Sequence, residues 1–378
     1  MRALLLLLFL GTTSASSAQS GSSPAPPVPA IAARSYLLLD YHSLQTLASQ
    51  NPAERVEPAS LTKLMTAYLT FSALKQKQIQ LAQTAPVSER AWKAVGSRMF
   101  IEPRRPVTVE ELMRGMIVQS GNDASIALAE LIAGSEDAFA QLMNREAQRL
   151  GMENTRFANA TGLPNPRHFS TAYDLALLAI AIIRDFPEYY PLYSMKEYRY
   201  NNITQANRNR LLWSDPTVDG MKTGYTENAG YGLITSARRG ERRLLSVVLG
   251  AASEAARAAD SQKLLNHGFK YYDSVKLYEK NQPVTSLRIW KGSGDSVKAG
   301  FSDDLYVSLP KGQADKLKAS LESRQPLFAP VGAGQKIGVM KLTLDGRPYA
   351  EIPVVALETV ALAGILGRGW DTIKLLFK

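Results

Sequence analysis

The spacing of hydrophobic and polar positions predicts a strand pair and then a buried helix near the start of the chain. Ser35–Asp40 and Leu44–Ala48 have strand-like composition and lie on either side of a polar turn. From about Ser60, apolar residues recur at intervals of three and four, which is typical of one side of a helix. These positions are Leu61, Leu64, Met65, Tyr68 and Leu69.

The middle of the chain is predicted to be mostly helical. A Thr-x-x-Glu capping box at Thr108 opens the first helix, and Asn122 with Asp123 is expected to cap the second. A Ser-Gly-Asn loop at Ser120 separates the two. The four predicted helices cover residues 108–119, 122–132, 135–150 and 170–184.

The pattern changes to strands after residue 218. Residues 218–225, 231–238 and 243–251 are predicted strands of an antiparallel meander, because short Gly-containing turns join them. Strands on both sides of a helical middle predict an α+β domain over residues 33–272. Beyond it, short β-like segments around 287–290, 305–309, 336–344 and 351–355 predict a small all-β domain over residues 273–357, a sandwich or barrel.

The first 32 residues are expected to lie outside the folded domains. A positive start at Arg2, an apolar stretch to Leu10 and small residues ending at Ala18 are typical of a signal peptide. The apolar stretch is shorter than the roughly 20 residues that cross a bilayer. We therefore expect residues 1–18 to be removed on export and residues 19–32, rich in Ser and Pro, to be a flexible lead-in.

Residues 358–378 are predicted to form an amphipathic helix. One side carries the apolar residues and the other the charged ones, and Trp370 lies on the apolar side. Such a helix suits the surface of a membrane better than its interior, so we expect a peripheral anchor. The alternative is a terminal helix that docks on the β domain.

Composition excludes several classes of protein. With no cysteine, an exported chain of this length has neither disulfides nor a thiol nucleophile. Its three histidines have no metal-ligand spacing, so no metal and no cofactor are expected. The net charge of +10 comes from scattered residues, which argues against nucleic-acid binding and suits an anionic membrane or cell-wall environment.

A serine and a lysine near the start of the first predicted helix are candidates for nucleophilic catalysis. Ser60 and Lys63 are three positions apart, which places them on one side of a helix about one turn from each other. Lys63 can then remove the Ser60 proton as Ser60 attacks a carbonyl. Alone this spacing is weak, since it also occurs at Ser72-x-x-Lys75 and Ser308-x-x-Lys311.

Two further motifs follow in order and strengthen the prediction. Ser120 can pass a proton to a leaving amine, and the amide of Asn122 can hold Lys63 and a substrate carbonyl. Lys222 adds positive charge, Thr223 can bind a terminal carboxylate, and Gly224 lets an extended peptide approach the strand. Each motif alone is an ordinary turn or strand end, but the ordered set predicts a catalytic site.

These three motifs resemble those of the penicillin-interacting serine enzymes, and in particular the low-molecular-mass D-alanyl-D-alanine carboxypeptidases. The resemblance extends from about Ser35 to the C-terminus. It rests on Pro58-Ala-Ser-Leu-Thr-Lys-Leu-Met65, Ser170-Thr-Ala-Tyr-Asp174, Asn207-Arg-Asn209, Leu212-Trp213 and Val218-Asp-Gly-Met-Lys-Thr-Gly224.

The resemblance implies a penicillin-binding, β-lactamase-like transpeptidase domain, followed by a β-rich domain and a membrane-surface helix. It gives catalytic roles to Ser60, Lys63, Ser120, Asn122 and Lys222. It also places Arg208 and Arg257 near the substrate carboxylate, and Tyr225 where some relatives have histidine.

The implied activity is removal of the terminal D-alanine from peptidoglycan stem peptides through an acyl-Ser60 intermediate. The same site would be acylated by β-lactams. Export and anchoring then predict a location on the outer, periplasmic face of the cytoplasmic membrane.

Three other functions remain open at this point. A β-lactamase of similar spacing uses a Glu-x-x-Leu-Asn segment, and none lies between Ser120 and Lys222. A peptidoglycan endopeptidase would use the same residues on cross-linked peptides. A non-catalytic wall-binding scaffold would keep the fold, although the intact Ser60 and Lys63 argue against it.

Overall fold

The computed structural model describes residues 27–323, 325–364 and 371. The chain forms two compact units. The larger runs to Glu279 and also includes Asp304–Gly312, and the smaller comprises Lys280–Asp303 and the chain from Gln313. The predicted signal peptide lies outside the described residues.

The described strands and helices give an α+β larger unit and an all-β smaller unit. The strands are β1 (Ser35–Asp40), β2 (Thr46–Gln50), β3 (Thr84–Ala85), β4 (Val107–Thr108), β5 (Glu197–Tyr200), β6 (Ile203–Ala206), β7 (Val218–Thr226), β8 (Gly230–Arg239), β9 (Arg242–Ala251), β10 (Tyr272–Tyr278), β11 (Pro283–Trp290), β12 (Ser296–Gly300), β13 (Leu305–Pro310), β14 (Leu317–Ser323), β15 (Leu327–Phe328), β16 (Lys336–Leu344) and β17 (Arg347–Ala356). The helices are α1 (Lys63–Lys75), α2 (Glu89–Trp92), α3 (Val109–Val118), α4 (Asn122–Ala133), α5 (Glu136–Arg149), α6 (Ala172–Asp185), α7 (Leu211–Ser214) and α8 (Glu254–Tyr271).

The larger unit is built on a five-stranded antiparallel sheet of order β2-β1-β9-β8-β7. The predicted meander is confirmed, and β1 pairs with β9 to close the sheet. Strand β2 begins later than predicted, because the Asp40 carboxylate accepts from His42 N and Ser43 N and extends the turn to Leu44, whose φ is +57°. Strand β7 is an edge strand.

The four predicted central helices are confirmed as α3 to α6. The Thr108–Glu111 capping box opens α3 as expected. The predicted cap of α4 is wrong, because Gly121 occupies the capping position and has no side-chain hydrogen bond there. The Asp123 carboxylate instead accepts from the N–H groups of residues 99–101, which fixes the preceding loop.

Helix α8 was not predicted from the sequence. Ser253 caps its start, and the helix packs on β9 and β8. Its buried residues include Arg257, Asp260 and Ser261 beside Leu264 and Leu265. Because polar residues occupy part of its buried side, the helix lacks the clear apolar spacing that sequence analysis detects.

The smaller unit contains a six-stranded sheet of order β14-β16-β17-β12-β11-β15, which confirms the all-β prediction. The predicted C-terminal helix does not begin at Glu358: Val360 and Leu362 form isolated bridges with Val331 and Gly292. Residues 365–370 and 372–378, where the rest of that prediction falls, lie outside the described residues. Within the described part of the chain, every helix is too short or too polar to cross a bilayer.

Candidate active site

Ser60 and Lys63 are in contact at the junction of a 3-10 turn and a helix. Ser60 lies in the turn Ala59–Thr62, so the helix predicted from Ser60 begins as a tighter turn and becomes α-helical at Lys63. Lys63 Nζ lies 3.0 Å from Ser60 Oγ and donates to the Thr161 carbonyl at 2.6 Å. The two contacts hold the amine against the hydroxyl.

Burial makes Lys63 a base near neutral pH. The side chain is 1% exposed, and burial lowers its pKa to about 7 by disfavouring the charged amine. The positive charge of Arg208 lowers this pKa further, while Asp123 and Glu136 oppose the effect. A neutral lysine can accept the Ser60 proton.

Ser120 and Lys222 form a second pair on the other side of the site. Lys222 Nζ donates to Ser120 Oγ at 2.9 Å and to the Thr223 carbonyl at 3.1 Å. Ser120 has a φ of +67°, a conformation that is uncommon for a serine and marks a constrained loop. Burial and the charge of Lys63 lower the pKa of Lys222 well below its ordinary value.

Asn122 lies beside this pair, but its amide nitrogen has a different partner from the one predicted. Nδ2 donates to the Val95 carbonyl at 2.6 Å, so it holds the loop that contains Gly96 and Ser97 rather than Lys63. Asn122 Oδ1 is buried and has no hydrogen-bond partner within the described residues. That oxygen is free to accept from a ligand.

A cleft of about 300 Å³ brings the candidate residues together. Ser60, Ser120 and Asn122 line it with Thr223, Gly224, Tyr225, Arg208 and Arg257. Lys63 and Lys222 lie behind its surface, hydrogen-bonded to the two serines. Thus the structure gathers all ten predicted residues at one place.

One end of the cleft is cationic. Arg257 is 2% exposed, and its Nη1 donates to the Gly224 carbonyl at 3.2 Å. Its Nη2 is buried without a hydrogen bond to any described residue, and the nearest acid, Glu254, is 3.6 Å away. Arg208 is exposed at the same cleft. This arrangement can bind a carboxylate.

Gly224 lets β7 pack directly on the turn that carries Ser60. A Cβ at this position would lie 3.0 Å from the Pro58 carbonyl oxygen and 3.3 Å from Leu61 N. The sequence predicted that this glycine makes room for a substrate backbone, whereas the contacts show that it makes room for the turn that carries Ser60. Strand β7 is thereby placed beside the turn that carries Ser60.

Sequence analysis missed the loop that supports Lys63. Asn159 Oδ1 accepts from Thr161 N, Thr161 Oγ1 and Gly162 N, and the buried Glu136 carboxylate accepts from Ala160 N. These bonds fix the Thr161 carbonyl that accepts from Lys63. The sequence Asn-x-x-Gly at residues 159–162 could have indicated this loop, since an asparagine side chain in a turn commonly hydrogen-bonds the backbone of the next residues.

His168 supports the turn that carries Ser60. Its Nε2 lies 2.9 Å from Thr62 Oγ1, while Asp174 accepts from Asn154 N and Thr155 Oγ1. Burial, and then the charge of Lys63, lower the pKa of His168 to about 4. The ring is therefore neutral at physiological pH.

Replacement of Gly162 with alanine is expected to destabilise the protein by about 2–4 kcal/mol and to slow acylation. Gly162 has a φ of +84°, and a Cβ there would lie 1.8 Å from the Ala59 carbonyl oxygen. Gly134→Ala is the matched control, because its φ is +77° but no atom lies within 4 Å of the added carbon. Thermal unfolding checks the difference, and equal losses in the two variants would contradict the packing argument.

Comparison with known proteins agrees with this geometry. Residues 20–253 match the family model of D-alanyl-D-alanine carboxypeptidase, and residues 272–362 match that of the penicillin-binding protein 5 C-terminal domain. The chain is 43% identical over 357 residues to D-alanyl-D-alanine carboxypeptidase DacC of Escherichia coli, covering 92% of this chain and 89% of the relative. It is 41% identical to DacA of Haemophilus influenzae, with coverages of 92% and 90%.

Solved structures give the same result. Penicillin-binding protein 5 from Haemophilus influenzae is 40% identical, with a TM-score of 0.85, and the match covers 90% of this chain and all of that one. Penicillin-binding protein D2 from Listeria monocytogenes, solved in its ampicillin-bound form, is 31% identical with a TM-score of 0.60, over 64% of this chain and all of that one.

The fold and the paired serine–lysine contacts define the class of penicillin-binding serine enzymes. Within that class, the chain belongs to the D-alanyl-D-alanine carboxypeptidase family of peptidases and is an enzyme of this kind.

Proposed function

We propose that the enzyme removes the terminal D-alanine of peptidoglycan stem peptides with Ser60 as nucleophile and Lys63 as its base. The observation that carries this assignment is the 3.0 Å contact between Ser60 Oγ and the fully buried Lys63 Nζ. Neutral Lys63 takes the Ser60 proton, and Ser60 Oγ bonds to the carbonyl carbon of the penultimate D-alanine. Collapse of the resulting intermediate leaves an acyl-serine.

Departure of D-alanine requires a proton on its amine. Ser120 is proposed to relay this proton, which is the one that Lys63 took from Ser60, because Ser120 Oγ is the partner of Lys222 Nζ and Ser120 lines the cleft. Lys63 is thereby neutral again. The N–H groups of Ser60 and Tyr225 are the proposed donors to the oxyanion, a role supported by the close packing of β7 on the turn that carries Ser60. Water then hydrolyses the acyl-serine and restores the Ser60 hydroxyl.

The cationic end of the cleft is proposed to bind the carboxylate of the departing residue. Thr223, Arg208 and Arg257 line the cleft, and Arg257 Nη2, which lies 3.6 Å from Glu254, makes no hydrogen bond to a described residue. The free Oδ1 of Asn122 can accept an amide N–H of the peptide. Because β7 is an edge strand, an extended peptide can also hydrogen-bond along it.

The test is D-alanine release from a Lys-D-Ala-D-Ala peptide by the purified protein. Release of one D-alanine per peptide supports the proposal. Absence of release, together with cleavage of cross-linked muropeptides, would replace it with the endopeptidase function.

The same site is proposed to be acylated by β-lactams. The similar penicillin-binding protein D2 from Listeria monocytogenes, solved in its ampicillin-bound form, supports this proposal. The β-lactamases of similar motif spacing use a glutamate to activate the water that attacks the acyl-serine. The acid among the described cleft-lining residues is Glu254, which is paired with Arg210 at 3.0 Å and lies at the carboxylate-binding end. We therefore expect a long-lived penicilloyl-enzyme.

Acylation is expected to increase with pH through about 7. Below this pH Lys63 is protonated and cannot accept the Ser60 proton, and above it the amine is neutral. The rate constant for acylation by a chromogenic penicillin, measured between pH 5.5 and 8.5, checks this. A rate that stayed flat until pH 9 or higher would contradict Lys63 as the base.

Export and peripheral anchoring on the outer face of the cytoplasmic membrane are also proposed. Their support is the signal-peptide pattern of residues 1–18 and the amphipathic pattern of the C-terminal residues. Removal of residues 365–378 is expected to shift the protein from the membrane fraction to the soluble periplasmic fraction. Retention of the shortened chain on membranes would contradict the anchor.

A further inference from the structure

Two buried asparagines lie on either side of Arg208 at the cleft. Asn207 is 7% exposed and Asn209 is fully buried, whereas Arg208 between them is exposed. Asparagine is seldom buried to this degree unless its amide is hydrogen-bonded. This pattern indicates that the backbone is fixed on both sides of Arg208, while the Arg208 side chain is exposed.

The hydrogen bonds of the two asparagines reach beyond their own turn. Asn207 Nδ2 donates to the Met195 carbonyl at 3.0 Å, and its Oδ1 accepts from Asn209 N. Asn209 Oδ1 accepts from Leu211 N, and its Nδ2 donates to the Gly220 carbonyl at 3.2 Å. The last bond connects the Arg208 segment to β7.

The hydrogen bond from Asn209 reaches β7 at Gly220, close to the proposed catalytic residues. Gly220 precedes Lys222 by two positions in the strand, and Lys222 binds Ser120. The position of Arg208 relative to the site is therefore set from the same strand that carries Lys222 and Thr223. Arg208 is also close enough to lower the pKa of Lys63, Lys222 and Arg257.

We propose that Asn209, supported by Asn207, is a positioning residue that holds Arg208 over the cleft, so that its guanidinium binds the carboxylate of the departing residue. This inference rests on the proposed function, because it assigns the selectivity for a free C-terminal carboxylate to an asparagine that touches no substrate. A purely structural role would instead affect all substrates alike.

The experiment compares two peptides that differ in one group. Lys-D-Ala-D-Ala with a free carboxylate and the same peptide with a C-terminal amide are hydrolysed by the unsubstituted protein, Asn209→Ala and Asn209→Ser. Serine can keep the turn at Leu211 but cannot reach the Gly220 carbonyl, so it removes the connection to β7 with less risk to folding. We expect the preference for the free carboxylate to decrease about tenfold in both variants, mainly through KM.

A double variant tests whether Asn209 acts through Arg208. Arg208→Gln alone should reduce the same preference, and adding Asn209→Ser should reduce it no further. Asn51→Ser is the matched control, since Asn51 Nδ2 also donates to a backbone carbonyl, that of Arg34, away from the cleft. This control should leave the preference unchanged.

The pH profile gives a second readout. The positive charge of Arg208 lowers the pKa of Lys63, so the pKa should increase when Arg208 moves away. The other charged groups near Lys63, namely Asp123, Glu136 and Lys222, keep their positions. The acid limb of penicillin acylation should therefore move to higher pH in Asn209→Ser, as in Arg208→Gln.

The outcomes separate the two proposals. Equal losses on the free and amidated peptides, or losses that multiply in the double variant, would overturn the role of Asn209 while leaving the carboxypeptidase assignment intact. Absence of D-alanine release by the unsubstituted protein would overturn the proposed function and this inference with it.

Discussion

Replacement of Ser60 with alanine is expected to abolish covalent labelling by penicillin and to reduce D-alanine release by at least about 10⁴-fold. Ser60 Oγ is the only atom of the side chain that can form the acyl ester, and it is already in contact with Lys63 Nζ. Fluorescent penicillin labelling followed by gel electrophoresis checks the first effect, and an assay of released D-alanine checks the second.

Ser72→Ala is the matched control for this variant. Ser72 lies three residues before Lys75 in α1, so the pair has the same spacing along the chain as Ser60 and Lys63. Its hydroxyl accepts from the Gln76 side chain, and we expect full labelling when it is removed. Persistent labelling of Ser60→Ala, with the adduct found on Ser120 by mass spectrometry, would reassign the nucleophile.

Replacement of Lys63 with methionine is expected to slow acylation by about 10²–10⁴-fold. Methionine fills a similar volume but cannot accept the Ser60 proton or donate to the Thr161 carbonyl. The rate constant for penicillin acylation is the measurement, taken across pH so that any remaining rate can be assigned to hydroxide or to Lys222.

Lys75→Met is the matched control for this variant, because it makes the same lysine-to-methionine substitution at another position. Lys75 is exposed and donates to the Asp185 carbonyl, at a distance from the cleft. Its replacement should leave the acylation rate within a factor of two of the unsubstituted protein. Near-normal acylation by Lys63→Met, with an unchanged dependence on pH, would show that another group is the base.

The candidate site could be predicted largely because its chemistry is concentrated in three short segments. Ser60 and Lys63 are neighbours on one turn, and Lys222, Thr223 and Gly224 are consecutive in one strand. Local spacing is enough to bring such residues together. The contact of Ser120 with Lys222 spans 102 positions and was not predicted, because spacing along the chain carries no signal for it.

The parts that were missed depend on backbone groups and on buried polar residues. The Thr161 carbonyl, 98 positions from Lys63, has no side-chain signature in the sequence. The amide of Asn122 was assigned to Lys63, but its Nδ2 donates to the Val95 carbonyl instead. Helix α8 was missed because Arg257 and Asp260 interrupt its apolar side.

The burial of Lys63 also has a thermodynamic consequence for the whole protein. The ordinary pKa of lysine, 10.5, describes the unfolded chain, and a value of about 7 in the folded protein corresponds to about 5 kcal/mol against folding at pH below 7. Between pH 7 and 10.5 the unfolded chain binds the extra proton, so this penalty decreases as the pH increases. Buried Lys63 is therefore a source of instability, and we expect Lys63→Met to raise the melting temperature while it slows acylation.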